Sequence, residues 1–182
     1  MKKITFLLAF VACSIFVTAQ ETATPADQLL QAAYQQAGAE HKNVIVIFHA
    51  SWCGWCHKMD NSMNDAVCAK MFTDNYVTVH LTVDESDSAK KQLENPGAVE
   101  FRKKYHGDKA GLPFWMIMDK TGKLLFDSYI RKPGVGLDQP GDNIGCPASE
   151  EEVAAFIQGL KKSSKLTSQQ LDVIAERFKK NK

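Results

Sequence analysis

Cys53 and Cys56 are separated by Gly54 and Trp55 in the run Ser51-Trp52-Cys53-Gly54-Trp55-Cys56-His57. On a helix this spacing puts both thiols on one face. Two such thiols can trade electrons with a disulfide: one thiolate attacks, a mixed disulfide forms, and the second thiol resolves it. A purely structural staple is a poor explanation, because closing so short a loop gains only about 2 kcal/mol, against about 3 for fifteen residues. By itself the pattern is shared among redox, zinc and haem sites.

The elements that must position the pair narrow that choice. Asn43 opens Val44-Ile45-Val46-Ile47-Phe48, a β-branched run without alternation, as expected of a central strand covered on both faces. After Ala50-Ser51-Trp52, a helix is predicted from Cys53 to about Phe72, with Cys56, Met59, Met63 and Val67 on one face. Cys53 then stands at a helix N-terminus, where unpaired N–H groups and the helix dipole favour an anion. Its pKa is expected below the free value of about 8.5, making Cys53 the nucleophile and Cys56 the resolving thiol.

Elsewhere, Leu30, Ala33, Tyr34 and Ala37 recur at helical spacing until Gly38. Tyr76 to Val83 alternates as a strand, and charged, helical-looking sequence reaches His106, interrupted at Asn95-Pro96-Gly97. Phe114 to Met118 reads as a strand joined through Asp119-Lys120-Thr121-Gly122 to a second strand, Lys123 to Ile130. Residues 131–148, with four Gly and three Pro, form an irregular loop whose length hints that it borders a substrate groove. Ser149 with Glu152, and Thr167 with Gln170, make capping boxes for two C-terminal helices. The order describes an α/β protein: a central mixed sheet flanked by helices.

The chain has 182 residues, 45% of them apolar, and a formal charge of +1. That balance excludes a disordered tail, a collagen-like fibre and a strongly basic nucleic-acid binder. Lys2 and Lys3 precede an apolar stretch from Ile4 to Val17, shorter than the ~20 residues of a membrane span, so residues 1–19 read as a signal peptide cleaved after Ala19. Cys13 as a lipoprotein cysteine is the weaker reading: Ala12 fits that signal and Phe10 does not. Cleavage removes two lysines and no acid, turning the charge from +1 to −1. The division is signal peptide 1–19, linker 20–25 and one domain 26–182, in a periplasmic or secreted protein. There Cys53, Cys56, Cys68 and Cys146 meet an oxidising compartment. Cys68 and Cys146 read as packed thiols, with a second disulfide as the alternative.

The segment from Val44 to Met59, containing Trp52-Cys53-Gly54-Trp55-Cys56, resembles the active-site segment of the thioredoxin superfamily, and Gly111-Leu112-Pro113 before an apolar strand resembles that family's second signature. The likeness runs from about residue 26 to 130, with the final helix pair an extension. It implies a thioredoxin fold with two extra C-terminal helices, and a protein-disulfide oxidoreductase. Cys53 resembles the exposed attacking cysteine and Cys56 the buried resolving one of a redox-active disulfide. Trp52 resembles the aromatic packed beside them, and Pro113 the family's cis-proline. The groove around Trp52, Trp55 and Leu112 would bind substrate, the Leu112 backbone pairing with an extended segment.

The implied partners are exported protein thiols or disulfides and an upstream thiol donor or acceptor. A monomer is expected, with no nucleic acid, no organic cofactor and no metal. The sequence departs from the family in three ways. Ile47 stands where many members have a buried acid, His80 lies near a frequent Lys and is the candidate to take the Cys56 proton, and Gly54-Trp55 replaces Gly-Pro. The direction of electron flow is therefore open, and a reductase is the reading adopted.

Competing readings exist. Cys53 to His57 also spells a c-type haem attachment motif, with His57 proximal and Met116 or Met118 distal; the buried strand before it and the Pro113 signature weigh against this. Zinc would need a second ligand pair, which Cys68 and Cys146 do not form. A redox-silent binding module using the exposed tryptophans is a third. His49 and His57 read as a strand-end and a helix-surface residue, and Asp84-Glu85-Ser86-Asp87 as a solvated turn.

Overall fold

The computed structural model describes residues 23–182, so the segment 1–19 read as a signal peptide, and Cys13 within it, lie outside the described residues. Helix α1 (Ala26–Glu40) buries Ala26, Leu30, Ala33 and Ala37 along one face. The β-branched run becomes strand β1 (Asn43–His49), its five apolar residues buried. Helices α2 (Gly54–Met63) and α3 (Ala69–Asn75) then cross over to β2 (Tyr76–Thr82), which pairs with β1 in parallel from Asn43–Tyr76 to His49–Thr82. A short 3₁₀ turn (Ser88–Leu93) and α4 (Ala98–Lys104) lead to β3 (Phe114–Met118), antiparallel to β1 with Phe48 opposite Phe114. Strand β4 (Leu124–Asp127) completes a sheet of order β2-β1-β3-β4. β1 is the central strand that its lack of alternation implied.

Period two along β1 splits the core between the sheet's two faces. Ile45 and Ile47 join Trp115, Ile117, Met59 and Met63 on one side. Val44, Val46 and Phe48 join Met116, Met118 and the apolar face of α1 on the other. The C-terminal helices, α5 (Glu150–Ser163) and α6 (Ser168–Phe178), bring Phe156, Leu160, Leu171, Ile174 and Phe178 into the first of these clusters. The Phe156 and Phe178 rings meet at 4.8 Å. Both helices start at complete capping boxes, on Ser149 with Glu152 and on Thr167 with Gln170.

The structure corrects three sequence expectations. The single helix from Cys53 to Phe72 is two helices, because Asn64 leaves helical geometry and the Asp65 carboxylate accepts the Val67 N–H at 3.1 Å. Asn and Asp offer the backbone such alternatives to helical bonds. The strand from Lys123 to Ile130 breaks at Ser128: buried Asp127 accepts the Tyr129 N–H at 3.0 Å and turns the chain. Within the loop 131–148, β6 (Asp142–Asn143) pairs with β5 (Tyr129–Ile130) as a separate two-stranded sheet. Among the described residues, Cys68 and Cys146 are unbonded, and both are buried.

Candidate functional site

Strand β1 delivers the chain out of the sheet at His49, and the next four residues make a turn closed by the Cys53 N–H on the Ala50 carbonyl at 3.0 Å. Helix α2 begins at Gly54, one residue later than the sequence suggested. Cys53 is therefore its N-cap, and the sulfur accepts the Cys56 N–H at 3.1 Å. A cysteine sulfur occupies the place usually held by a Ser, Thr or Asp oxygen, facing the positive end of the helix. Cys53 and Cys56 are joined as a disulfide, their Cα atoms 5.3 Å apart.

The exposed attacking cysteine is not what the structure gives. Cys53 is 3% exposed and Cys56 1%. The disulfide sits in a small apolar cluster with Ala50, and Leu112 packs against it. Leu112 is placed there because β3 pairs with β1, which brings the preceding loop back beside the turn. The Leu112–Pro113 peptide bond is cis.

Two tryptophans flank the covered pair. Trp52 is 54% exposed and Trp55 46%, yet both are anchored. Trp52 donates its indole N–H to the Asp84 carbonyl at 2.8 Å, and Lys58 stands 4.1 Å over the Trp55 ring, a cation–π contact. Lys58 also donates to the Asn181 carbonyl at 3.0 Å, tying the C-terminus to α2. Beside Trp55 and Leu112 opens a cavity of about 270 Å³ walled by Asn143, Ile144, Gly145 and Cys146. The Asn143 amide holds this wall by donating to the Gly111 carbonyl at 2.8 Å. Part of the long loop thus walls this cavity.

Several polar residues depart from their sequence reading. Asp84, Ser86 and Asp87 are exposed, as a solvated turn requires, but Glu85 is 2% exposed and hydrogen-bonded to Ser51, and Asp84 accepts two bonds from Arg102. A signal lay in spacing: Leu81 in β2 and, just beyond the strand's end, Val83 and Glu85 occupy every second position, and all three are buried. His80, opposite Ile47 in the sheet, lies 2.8 Å from an Asp60 carboxylate oxygen. His49 is edge-on to His80 at 5.2 Å and meets the Thr82 hydroxyl at 3.2 Å. Burial and then His80 hold the His49 pKa below its ordinary value, against the pull of Asp60 and Glu85. His57 donates through Nε2 to the Ser51 carbonyl at 3.2 Å. Both histidines have partners that sequence alone did not supply.

The haem reading fails on placement. Met116 and Met118 are fully buried on the α1 side of the sheet, whereas the α2 residues Met59 and Met63 pack on the other. Among the described residues no three His, Cys, Asp or Glu side chains converge as a metal cluster.

A family model described as thioredoxin-like matches residues 25–120. Among solved structures, the chain is similar to a disulphide isomerase from Xylella fastidiosa Temecula1, with 19% identity over 63% of this chain and 80% of that one, at a TM-score of 0.45. It is also similar to the pneumococcal exposed lipoprotein thioredoxin from Streptococcus pneumoniae strain TIGR4, with 18% identity, 69% and 87% coverage and a TM-score of 0.40. A search of curated proteins finds no match.

Proposed function

Because the chain belongs to the thioredoxin-like family and carries that family's redox-active cysteine pair, we propose that it is a thiol:disulfide oxidoreductase acting on exported proteins in the reducing direction. One observation carries the reading: the Cys53–Cys56 disulfide caps a helix at the end of the central strand, with Leu112 packed on it and anchored tryptophans around it. In the reduced protein the Cys53 thiolate attacks a substrate disulfide and one substrate sulfur leaves as a thiol. Cys56 then attacks the mixed disulfide at Cys53, releasing the second substrate thiol and closing the pair. An upstream dithiol donor reopens it. Trp52, Trp55, Leu112 and Pro113 form the surface on which the substrate segment lies.

Two opposed effects bear on the reducing direction, and their balance supports it. The helix N-terminus favours the thiolate by about 0.3–1 kcal/mol, rising to ~2 when partly buried. The apolar cover of Ala50 and Leu112 disfavours any anion beneath it, at an effective cost of several kcal/mol for a fully desolvated ion. Cover encloses both sulfurs in the closed pair and withholds stabilisation from a thiolate, which supports the dithiol as a reductant; Cys53 ionises and attacks once Leu112 moves aside for substrate. Export rests on the charged and apolar pattern of residues 1–19; among the described residues no helix is long and apolar enough to cross a membrane.

The wild type is expected to reduce a protein disulfide catalytically, and Cys53→Ala to fall to the uncatalysed rate. Equal rates for the two would remove the mechanism and leave a binding module. Equilibration with glutathione tests the direction: a reducing couple lies near about −270 mV, while a value near about −120 mV would make the protein a disulfide donor.

A further inference from the structure

Ser51 stands two residues before Cys53, and each of its polar groups has a partner. Its N–H donates to one Glu85 carboxylate oxygen at 2.6 Å and its hydroxyl to the other at 2.8 Å. The hydroxyl also accepts from Lys90 at 3.1 Å, and the carbonyl accepts from His57 at 3.2 Å. Trp52 is held from the same segment, through the Asp84 carbonyl.

That segment is built at a cost. Glu85 is 2% exposed, and a buried carboxylate is unfavourable unless it is well paired. Asp84 adopts a φ of 55°, a region that side chains disfavour, and Arg102 holds its carboxylate at 2.7 and 3.1 Å. Arg102 is itself 3% exposed, and its Nε has no partner among the described residues. The Glu94 carboxylate accepts the Glu85 N–H at 2.7 Å. An apolar residue at position 85 would continue the alternation of Leu81 and Val83 with no buried charge to satisfy. The carboxylate makes sense through what it grips, which is the turn that presents the reactive sulfur.

We propose that Glu85 is a positioning residue for disulfide exchange: its carboxylate clamps Ser51 and so fixes where the turn presents the Cys53 sulfur to Cys56 and to substrate. The proposal rests on the exchange reading above. A clamped turn holds the two sulfurs together and raises their effective concentration, which favours the closed disulfide. In the balance with glutathione, one dithiol and one glutathione disulfide give the closed pair and two glutathione thiols. Loosening the turn shifts that balance back toward the dithiol.

The test compares wild type, Glu85→Ala, Glu85→Gln and Ser51→Ala, each checked for folding by circular dichroism. For Glu85→Ala, the exchange rate with a protein disulfide is expected to fall at least tenfold. Its glutathione equilibrium constant is expected to move at least fivefold toward the dithiol. Glu85→Gln keeps the length and one acceptor for the Ser51 N–H, so it recovers part of both. Ser51→Ala loses only the hydroxyl bond and shows a smaller shift in the same direction. A merely structural role lowers thermal stability without moving the equilibrium constant, and that result in folded Glu85→Ala overturns the clamp. If Glu85→Ala does not fold, unchanged equilibria in both Glu85→Gln and Ser51→Ala overturn it. The glutathione equilibrium reads the clamp even where the wild type turns over no protein disulfide, so failure of the exchange reading is a separate result.

Discussion

Cys68 and Cys146 carry the same thiol as Cys53, and their surroundings make them different reagents. Cys146 is 5% exposed, and its sulfur accepts from the Asn181 amide at 3.3 Å. Burial pushes its pKa up to about 12, and burial likewise raises that of Cys68. A protonated thiol is a poor nucleophile. In a chain lacking residues 1–19, iodoacetamide at neutral pH is therefore expected to modify no cysteine before reduction and, after mild reduction, Cys53 ahead of Cys68 and Cys146, because the Cys53 sulfur, though covered, accepts an N–H at a helix N-terminus. Peptide mass mapping reads the site; rapid labelling of Cys146 would show that its cover opens. Sequence could count these thiols but not sort them, because neighbours distant in the chain supply the sorting.

Among the elements, α5 shows local and tertiary control side by side. Its start is written in four consecutive residues, Ser149 to Glu152, which make the reciprocal cap. Ser149→Ala is expected to cost about 1 kcal/mol in chemical denaturation. Further along the same helix, Gly159 is buried against Phe126, and a Cβ there would stand 2.6 Å from the ring. Helix propensity alone would make Gly159→Ala stabilising by up to about 1 kcal/mol. Here it is expected to destabilise, since the ring is already stacked on Trp115. A stabilised Gly159→Ala would mean that α5 can lift off β4 freely. The cap was legible in the sequence; the close approach was not, because Phe126 lies on another element.

For the molecule as a whole, acid is the condition that strikes its long-range ties together. Asp65 lies in the turn between α2 and α3 and accepts from Arg177 of α6 at 2.6 Å, which holds its carboxyl below the usual range. Burial opposes ionisation of Glu85 and Glu152, but hydrogen bonds, from Ser51 to Glu85 and from Ser149 and Ala148 to Glu152, lower both. A carboxyl lowered on folding contributes stability above its unfolded value of about 4, and that contribution is lost as pH falls through the folded one. The thermal midpoint should therefore decline gently below about pH 6.5, where His49 takes up a proton more readily in the unfolded chain, and drop more steeply toward pH 3 as the carboxyls titrate. Glu85→Gln should flatten part of that drop, and an unchanged slope would remove Glu85 from the account.

The sequence by itself determined the sheet's central strand, the order of its main elements, both capping boxes and the pair of cysteines, since each is announced by residues within a few positions of one another. Only the tertiary structure decided that Cys53 is covered, that part of the 131–148 loop walls the cavity beside Trp55 and Leu112, and that Glu85 and Arg102 are buried behind the active turn. Burial and ion pairing depend on which surfaces meet after the chain has folded back on itself. Ser51 and Glu85 stand 34 positions apart in the chain and touch only because β1 and β2 run side by side.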